Sequence, residues 1–246
     1  MLKGKNAVIT GARKGIGRAI TGLFAQNGCN IWACARTKDN DFETDMYKLS
    51  KEYGVFIKPV YFDLTNEADT KEQITAIIKE NLPIDILVNN AGVAHGGLCQ
   101  MTPVSEIKKI FDNNLYAHIS ITQLVLKAMT RKRSGSIINM ASVSGLDLNS
   151  GNCAYGVSKA AMIAFTKTLS KEVGAYGIRV NAIAPGLTDT DMAALMEKKA
   201  GDEMVGSSTQ NRLATPEEIA NTALFFASGL SSFVSGQVLR VDGGAK

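Results

Sequence analysis

The sequence is poor in the residues that staple or anchor a chain. Four cysteines, Cys29, Cys34, Cys99 and Cys153, are scattered over 246 residues. None forms a Cys-x-x-Cys pair, and only His95 and His118 could join them as metal ligands. Neither a disulfide framework nor a metal site is expected, and reduced thiols point to a cytoplasmic protein. No apolar run approaches the ~20 residues a membrane span needs. No signal-peptide core precedes the strand-like Ala7-Val8-Ile9-Thr10. Charge of one sign is scarce too: 27 Lys and Arg against 23 Asp and Glu leave a net +4. No basic block recurs on a periodic face with interleaved aromatics, which argues against nucleic acid and leaves small anionic ligands open. With five prolines and no linker, repeat or low-complexity tract, nothing marks a boundary, so a single domain over residues 1–246 is expected. A chain of that length buries a core without disulfides or metal.

What the sequence does contain is alternation. Short apolar runs at Ala7–Thr10, Asn30–Ala35, Phe56–Phe62, Ile86–Asn89, Ser136–Met140, Arg179–Ala184 and Gln237–Val241 read as strands buried on both faces. Helical patterns lie between them at Gly15–Asn27, Thr44–Tyr53, Glu67–Asn81, Ser105–Arg131, Ala154–Tyr176 and Pro216–Ala227. The last opens on Thr215-Pro216-Glu217-Glu218, a cap, a proline at the first helical position and acids against the positive helix end. Uninterrupted β-α alternation predicts an α/β Rossmann fold: a doubly wound, mostly parallel, seven-stranded sheet with helices on both faces. Residues 188–212 break the rhythm with Met-rich and charged sequence, which reads as a lid over a site or as a surface helix pair.

Gly11-Ala12-Arg13-Lys14-Gly15-Ile16-Gly17 follows the first strand and opens the first helix. Glycines there let the backbone turn tightly and approach a pyrophosphate, which would sit on free N–H groups at the positive helix end. Cofactor choice is read at the end of the second strand. An acid there would bind the ribose 2′-hydroxyl of NAD, whereas an arginine accommodates a 2′-phosphate. The sequence runs Ala35-Arg36-Thr37 with no acid before Asp39, and Arg13 and Lys14 add positive charge, so NADP(H) is expected.

Further along come Asp63-Leu64, Asn89-Asn90-Ala91-Gly92, Asn114-Leu115, Ser142, Tyr155-Gly156-Val157-Ser158-Lys159, Pro185-Gly186 and Val241-Asp242-Gly243-Gly244. In order and spacing the chain resembles the short-chain dehydrogenase/reductases over essentially its whole length. Its chemistry is legible in the residues as well. Tyr155 and Lys159 are four apart and share a helix face. A free phenol titrates near ~10, and a neighbouring ammonium favours the phenolate, so Tyr155 is expected to act as general acid in carbonyl reduction. Ser142 follows a strand, at the sheet edge where ligands bind, and its hydroxyl can donate to a carbonyl gaining negative charge.

The resemblance implies the remaining roles. Asn114 would hold a water relaying protons to Lys159, and Lys159 would also bind the nicotinamide ribose. Asp63 would contact the adenine with Leu64 beside it, and Asn90, Ala91 and Gly92 would line the adenine-ribose side and stabilise the central sheet. Pro185, Gly186, Thr188 and Thr190 would hold the carboxamide, with Thr190 preferred for its hydroxyl. The subgroup closest in appearance is the 3-oxoacyl-acyl-carrier-protein reductases, which implies a carbonyl or acyl-thioester substrate and an acyl carrier protein as partner. Arg131-Lys132-Arg133 is a candidate docking patch beside the cleft, although Tyr176 departs from the subgroup pattern. A sugar, polyol or other secondary-alcohol dehydrogenase is the alternative, and a non-catalytic nucleotide sensor a remote one. The resemblance also implies a homotetramer. His95, just beyond Gly92, is a candidate for the substrate cleft, and Trp32 for the core.

Overall fold

The computed structural model describes residues 1–194, 205–206 and 208–244. Seven strands, β1 Asn6–Thr10, β2 Asn30–Ala35, β3 Ile57–Tyr61, β4 Ile86–Asn89, β5 Gly135–Met140, β6 Ile178–Pro185 and β7 Val238–Val241, form one sheet. Its order is β3-β2-β1-β4-β5-β6-β7. Every paired strand runs parallel to its neighbour.

Strand side chains alternate between two cores, which is why the strands read as continuous apolar runs. Ala7, Ile9, Ile31 and Ala33 face a core closed by α1 (Gly15–Gln26), α2 (Asn40–Tyr53) and α9 (Pro216–Ala227). Val8, Trp32, Leu87 and Val180 face the opposite core, closed by α3 (Glu67–Lys79), α5 (Ala117–Lys132) and α7 (Cys153–Val173). Trp32 is fully buried, as expected, and its indole N–H donates to Glu80.

Two helices differ from the sequence reading. α2 starts at Asn40, not Thr44, because the Asp39 carboxylate caps the N–H groups of Asp41 and Phe42. The single helix expected over 105–131 is three pieces: α4 (Val104–Phe111), a π-helical turn at Asp112–Tyr116, and α5. A π turn keeps helical backbone angles while inserting one residue, so apolar periodicity does not reveal it. α9 carries its full capping box, with Thr215 and Glu218 bonding reciprocally.

Part of the lid expected over 188–212, residues 195–204 and 207, lies outside the described residues. Its two ends are pinned together by a Thr188–Ala214 bridge. Between them the described part includes α8 (Asp191–Ala194). Among the described residues no helix is long and apolar enough to cross a membrane.

Candidate active site

The carboxyl ends of the strands open into a cleft of about 430 Å³. It sits where β1 has β2 on one side and β4 on the other, the switch point at which open α/β sheets bind ligands. At the phosphate end, Gly11 and Gly15 adopt left-handed backbone at φ 67° and 55°. Gly17 is needed for a different reason: a Cβ there would collide with the Gly11 carbonyl oxygen and stand 2.5 Å from Asn90 Nδ2. Side chains cap the first turns of α2, α3 and α9, but none caps α1, and its first turn holds no acid. Free N–H groups and the positive helix end therefore face the cleft, which suits a pyrophosphate.

The cations around this end are distributed unevenly. Arg13 pairs with Asp39 at 2.7 Å, and Lys14 with Asp191 at 2.7 Å. Asp39, the first acid after β2, is thus engaged by Arg13 and by its capping role, and both hold its carboxyl below the usual range. Arg36 lines the cleft, exposed, with no ion pair among the described residues. Asp63 accepts from the Thr65 hydroxyl at 2.7 Å and the Thr65 N–H at 2.9 Å. Those bonds, helped by the Arg36 charge, keep its carboxyl below the usual range.

In the middle of the cleft, Asn90 locks β4 to β1. Its N–H donates to Thr10 Oγ1 at 2.9 Å and its Nδ2 to the Thr10 carbonyl at 2.9 Å. The Ala91 carbonyl lies 2.7 Å from His118 Nε2. A carbonyl only accepts, so Nε2 carries the proton. Burial drives that imidazole down to about 4, leaving it neutral at physiological pH. Asn114, on the π turn, is fully buried: Oδ1 accepts from Val93 N–H at 2.8 Å, and Nδ2 donates to Val93 O and Ser158 Oγ. It fastens the wall after β4 to α7 and does not itself line the cleft.

At the chemical end, α7 carries Tyr155 and Lys159 toward the cleft beside Ser142, which follows β5. Ser142 Oγ accepts from the Ser144 N–H at 3.1 Å, which leaves the hydroxyl hydrogen free to donate. Lys159 is 4% exposed and donates to the Met140 carbonyl at 2.8 Å. Burial lowers its ammonium from 10.5 to about 8. Burial also pushes the Tyr155 phenol above its usual range, with a hydrogen bond to Ser142 pulling it partway back. The depression of Tyr155 expected from Lys159 is therefore not present here. Lys159 Nζ is 5.8 Å from the phenol ring centre and is turned to Met140, so desolvation outweighs the ammonium.

Of the residues expected to catalyse or to bind the cofactor, all line the cleft except Gly17, which shapes its floor, and Asn114, which braces its wall. Pro185, Gly186, Thr188 and Thr190 form its far side, with the Thr190 hydroxyl donating to the Thr188 carbonyl at 3.2 Å. His95 does not line the cleft, and its Nδ1 is buried without a partner among the described residues. The proposed docking patch is misplaced. Arg131 to Arg133 end α5, where the chain enters β5, so they sit at the amino edge of the sheet, opposite the cleft. There Lys132 pairs with Asp85, and Arg133 bonds Ala175 O beneath the Tyr176 ring. Two contributors had gone unassigned. Ser158, which ties Asn114 to the Tyr155 carbonyl, was visible within the Tyr-Gly-Val-Ser-Lys stretch. The Met140 carbonyl has no sequence signal, since any residue supplies one.

Among the described residues no group of His, Cys, Asp and Glu could hold a metal ion. Residues 11–246 match the family described as Enoyl-(Acyl carrier protein) reductase. The chain is 38% identical to the 3-oxoacyl-[acyl-carrier-protein] reductase FabG of Chlamydia muridarum, over 99% of this chain and 98% of that protein. It is 35% identical to a 3alpha-hydroxysteroid dehydrogenase of Mediterraneibacter gnavus, over 100% of this chain and 98% of that one. A solved structure provisionally assigned as a gluconate dehydrogenase, from Agrobacterium tumefaciens, superposes with TM-score 0.91 at 29% identity, covering 98% of this chain and 96% of its own. A parallel sheet with this strand order, a glycine-lined helix end and a Tyr-x-x-x-Lys helix beside Ser142, matched end to end by such relatives, places the chain in the short-chain dehydrogenase/reductase family of oxidoreductases.

Proposed function

We propose that the protein reduces the ketone of a 3-oxoacyl thioester to the alcohol, with NADPH as the cofactor and Tyr155 as general acid. The convergence of Tyr155, Ser142 and Lys159 at one end of a cleft whose other end is an uncapped helix terminus carries this reading. The residues fit the cofactor. Gly11 to Gly17 and the first turn of α1 would hold the pyrophosphate, and unpaired Arg36 the 2′-phosphate. Asp63 and Leu64 would take the adenine, with Asn90, Ala91 and Gly92 along the ribose side. Pro185, Gly186, Thr188 and Thr190 would receive the carboxamide end. When bound, NADPH supplies a hydride to the carbonyl carbon.

The protein's own residues do the rest. Ser142 donates its hydroxyl hydrogen, shared with Tyr155 before substrate enters, to the carbonyl oxygen, orienting it and stabilising charge as it develops. Tyr155 delivers the proton that completes the alcohol, and its raised pKa keeps it protonated for that task. Lys159 binds the nicotinamide ribose and, placed near the phenol, stabilises the phenolate left behind. Asn114 acts by position, since its amide is engaged by Val93 and Ser158. A water relay to Lys159 would use the main chain of the π turn.

An acyl carrier protein as donor, cytoplasmic location and homotetramer formation belong to the same proposal. Phe233, Leu230 and Leu239 stand exposed around edge strand β7, consistent with subunit packing. Loss of NADPH absorbance should be followed with 3-oxoacyl thioesters, keto-sugars, diketones and cyclic ketones, in parallel with NADH. Turnover of the thioesters with NADPH is the expected result. Turnover confined to keto-sugars or cyclic ketones would overturn the substrate, and silence with all of them the reaction.

A further inference from the structure

The wall that follows β4 lines the cleft with Val93 and Ala94, then runs against the start of α7. Gly97 and Asn152 form a parallel bridge, and the Gly97 N–H donates to the Gly151 carbonyl at 2.7 Å. Two residues beyond one side of this bridge is Cys99, and one residue beyond the other is Cys153, the first residue of α7. Bridged strands lie ~4.8 Å apart. A disulfide needs a Cα separation of ~4.4–6.8 Å, and the bridge brings the segment that reaches Cys99 alongside the start of α7. Cys99 is the neighbour that most raises the Cys153 thiol, as expected of two thiols side by side. Cys99 is exposed and Cys153 partly so. The other two thiols, Cys29 and Cys34, are buried, and burial pushes both up to about 12, which makes them inert.

We infer that Cys99 and Cys153 are a redox pair, oxidised by a hydroperoxide to a reversible disulfide that staples the cleft wall to the catalytic helix. The exposed Cys99 thiolate attacks the peroxide, breaking its O–O bond to give a sulfenic acid and the corresponding alcohol, or water when the oxidant is hydrogen peroxide. The Cys153 sulfur then attacks the Cys99 sulfur, forming S–S and breaking S–O, and the hydroxyl leaves as water with the Cys153 proton. Two thiols are oxidised and one peroxide is reduced, and an added dithiol reverses the exchange. Cys153 is two residues before Tyr155, while the stapled wall continues from Val93 and Ala94, so the bond acts on the chemical end of the cleft. The phosphate end, built on β1 and β2, is untouched. Oxidation therefore suppresses turnover without weakening NADPH binding. The turnover effect rests on the reductase reading above, whereas the disulfide does not.

The test uses the full chain treated with hydrogen peroxide, quenched with an alkylating agent and mapped by mass spectrometry. The expected product is a monomer lighter by two hydrogens, with a Cys99–Cys153 cross-linked peptide that Cys99→Ser and Cys153→Ser each abolish. Turnover should fall about tenfold and return with dithiothreitol, as for a closed gate. NADPH fluorescence titration should be unchanged, and Cys99→Ser should be insensitive to peroxide. Cross-links only between molecules, or Cys99 oxidised singly to sulfinic acid, would overturn the pair. A mapped disulfide with undiminished turnover would overturn its control of the site. If no carbonyl compound is reduced at all, the peptide map still reports on the pair while the reductase reading fails separately.

Discussion

Replacing Gly17 with alanine sets two effects of opposite sign against each other. Alanine in a helix interior is favoured over glycine by about 1 kcal/mol. Against this, the new methyl would collide with the Gly11 carbonyl oxygen, lie 2.5 Å from Asn90 Nδ2 and 2.8 Å from the Gly11 carbonyl carbon. Two of those atoms are backbone, and Asn90 Nδ2 donates to the Thr10 and Gly11 carbonyls, so neither neighbour can swing away. Overpacking of this kind costs about 1–3 kcal/mol and sometimes more, and with rigid neighbours this close the clash outweighs the helix gain by up to about 2 kcal/mol. For a chain of this size that is a fall of up to about 8 °C in melting temperature. The larger effect is local. To relieve the clash α1 must withdraw from Gly11, and the N–H groups that would bind pyrophosphate withdraw with it. Gly22→Ala is the internal control on the same helix, because its Cβ meets only the mobile end of Arg18 at 3.3 Å. Thermal melts and NADPH titrations on both variants decide the matter. Gly17→Ala should melt lower and bind NADPH at least tenfold more weakly, while Gly22→Ala should match or exceed wild type in both. A Gly17→Ala protein that melts and binds like Gly22→Ala would refute the argument.

Tyr155→Phe removes the proton donor but keeps the ring, so turnover should drop by about 10²–10⁴-fold while NADPH binding holds, and wild-type turnover would remove Tyr155 from the chemistry. Arg36→Asp should invert cofactor preference toward NADH, checked by paired kcat/KM values. Position 36 is the right place for the acid because Ala35 packs in the core with Ile31 and Ala33. Lys159 makes a pH-dependent prediction. Burial lowers its pKa from 10.5 to about 8, so between those values the unfolded chain binds the extra proton and this group's contribution to stability rises with pH. Urea unfolding from pH 7 to pH 10 should show wild type gaining on Lys159→Met by an amount on the order of 2 kcal/mol, and parallel curves would remove the buried charge from the account.

Legibility in the sequence followed the range of the interactions concerned. Strands such as Ala7–Thr10 were plain because burial on both faces makes every position apolar, and the cleft followed because strand ends and glycine turns are local events. The π turn at Asp112–Tyr116 left no trace because its cause is tertiary: Asn114 is pulled inward to Val93 and Ser158. The basic run at Arg131 to Arg133 misled for a related reason. Charge shows in a sequence, but the sheet edge that receives it depends on which strand follows. The ionisation of Tyr155 and Lys159 was likewise invisible, since spacing places two groups on one face and says nothing about how dry that face is.

The buried amides of β4 and β5 explain why such a dry site stays in register. Asn89 Nδ2 donates to Thr122 on α5 at 3.0 Å and to Asn139 Oδ1 at 2.8 Å, and Asn139 Nδ2 donates to Thr166 on α7 at 2.9 Å. This ladder crosses the sheet one residue before Met140, whose carbonyl accepts a hydrogen bond from Lys159. Leucine at positions 89 and 139 would bury more apolar surface and would remove the cost of Asn89 Oδ1, which is buried without a partner among the described residues. It would also free α5 and α7 to slide on a greasy sheet, because apolar contacts are not directional. Hydrogen bonds tolerate only a few tenths of an ångström, so the ladder fixes α7 against β5 and, with it, Tyr155 against Ser142. The fold gives up some stability at Asn89 to hold the chemical end of the cleft to that tolerance.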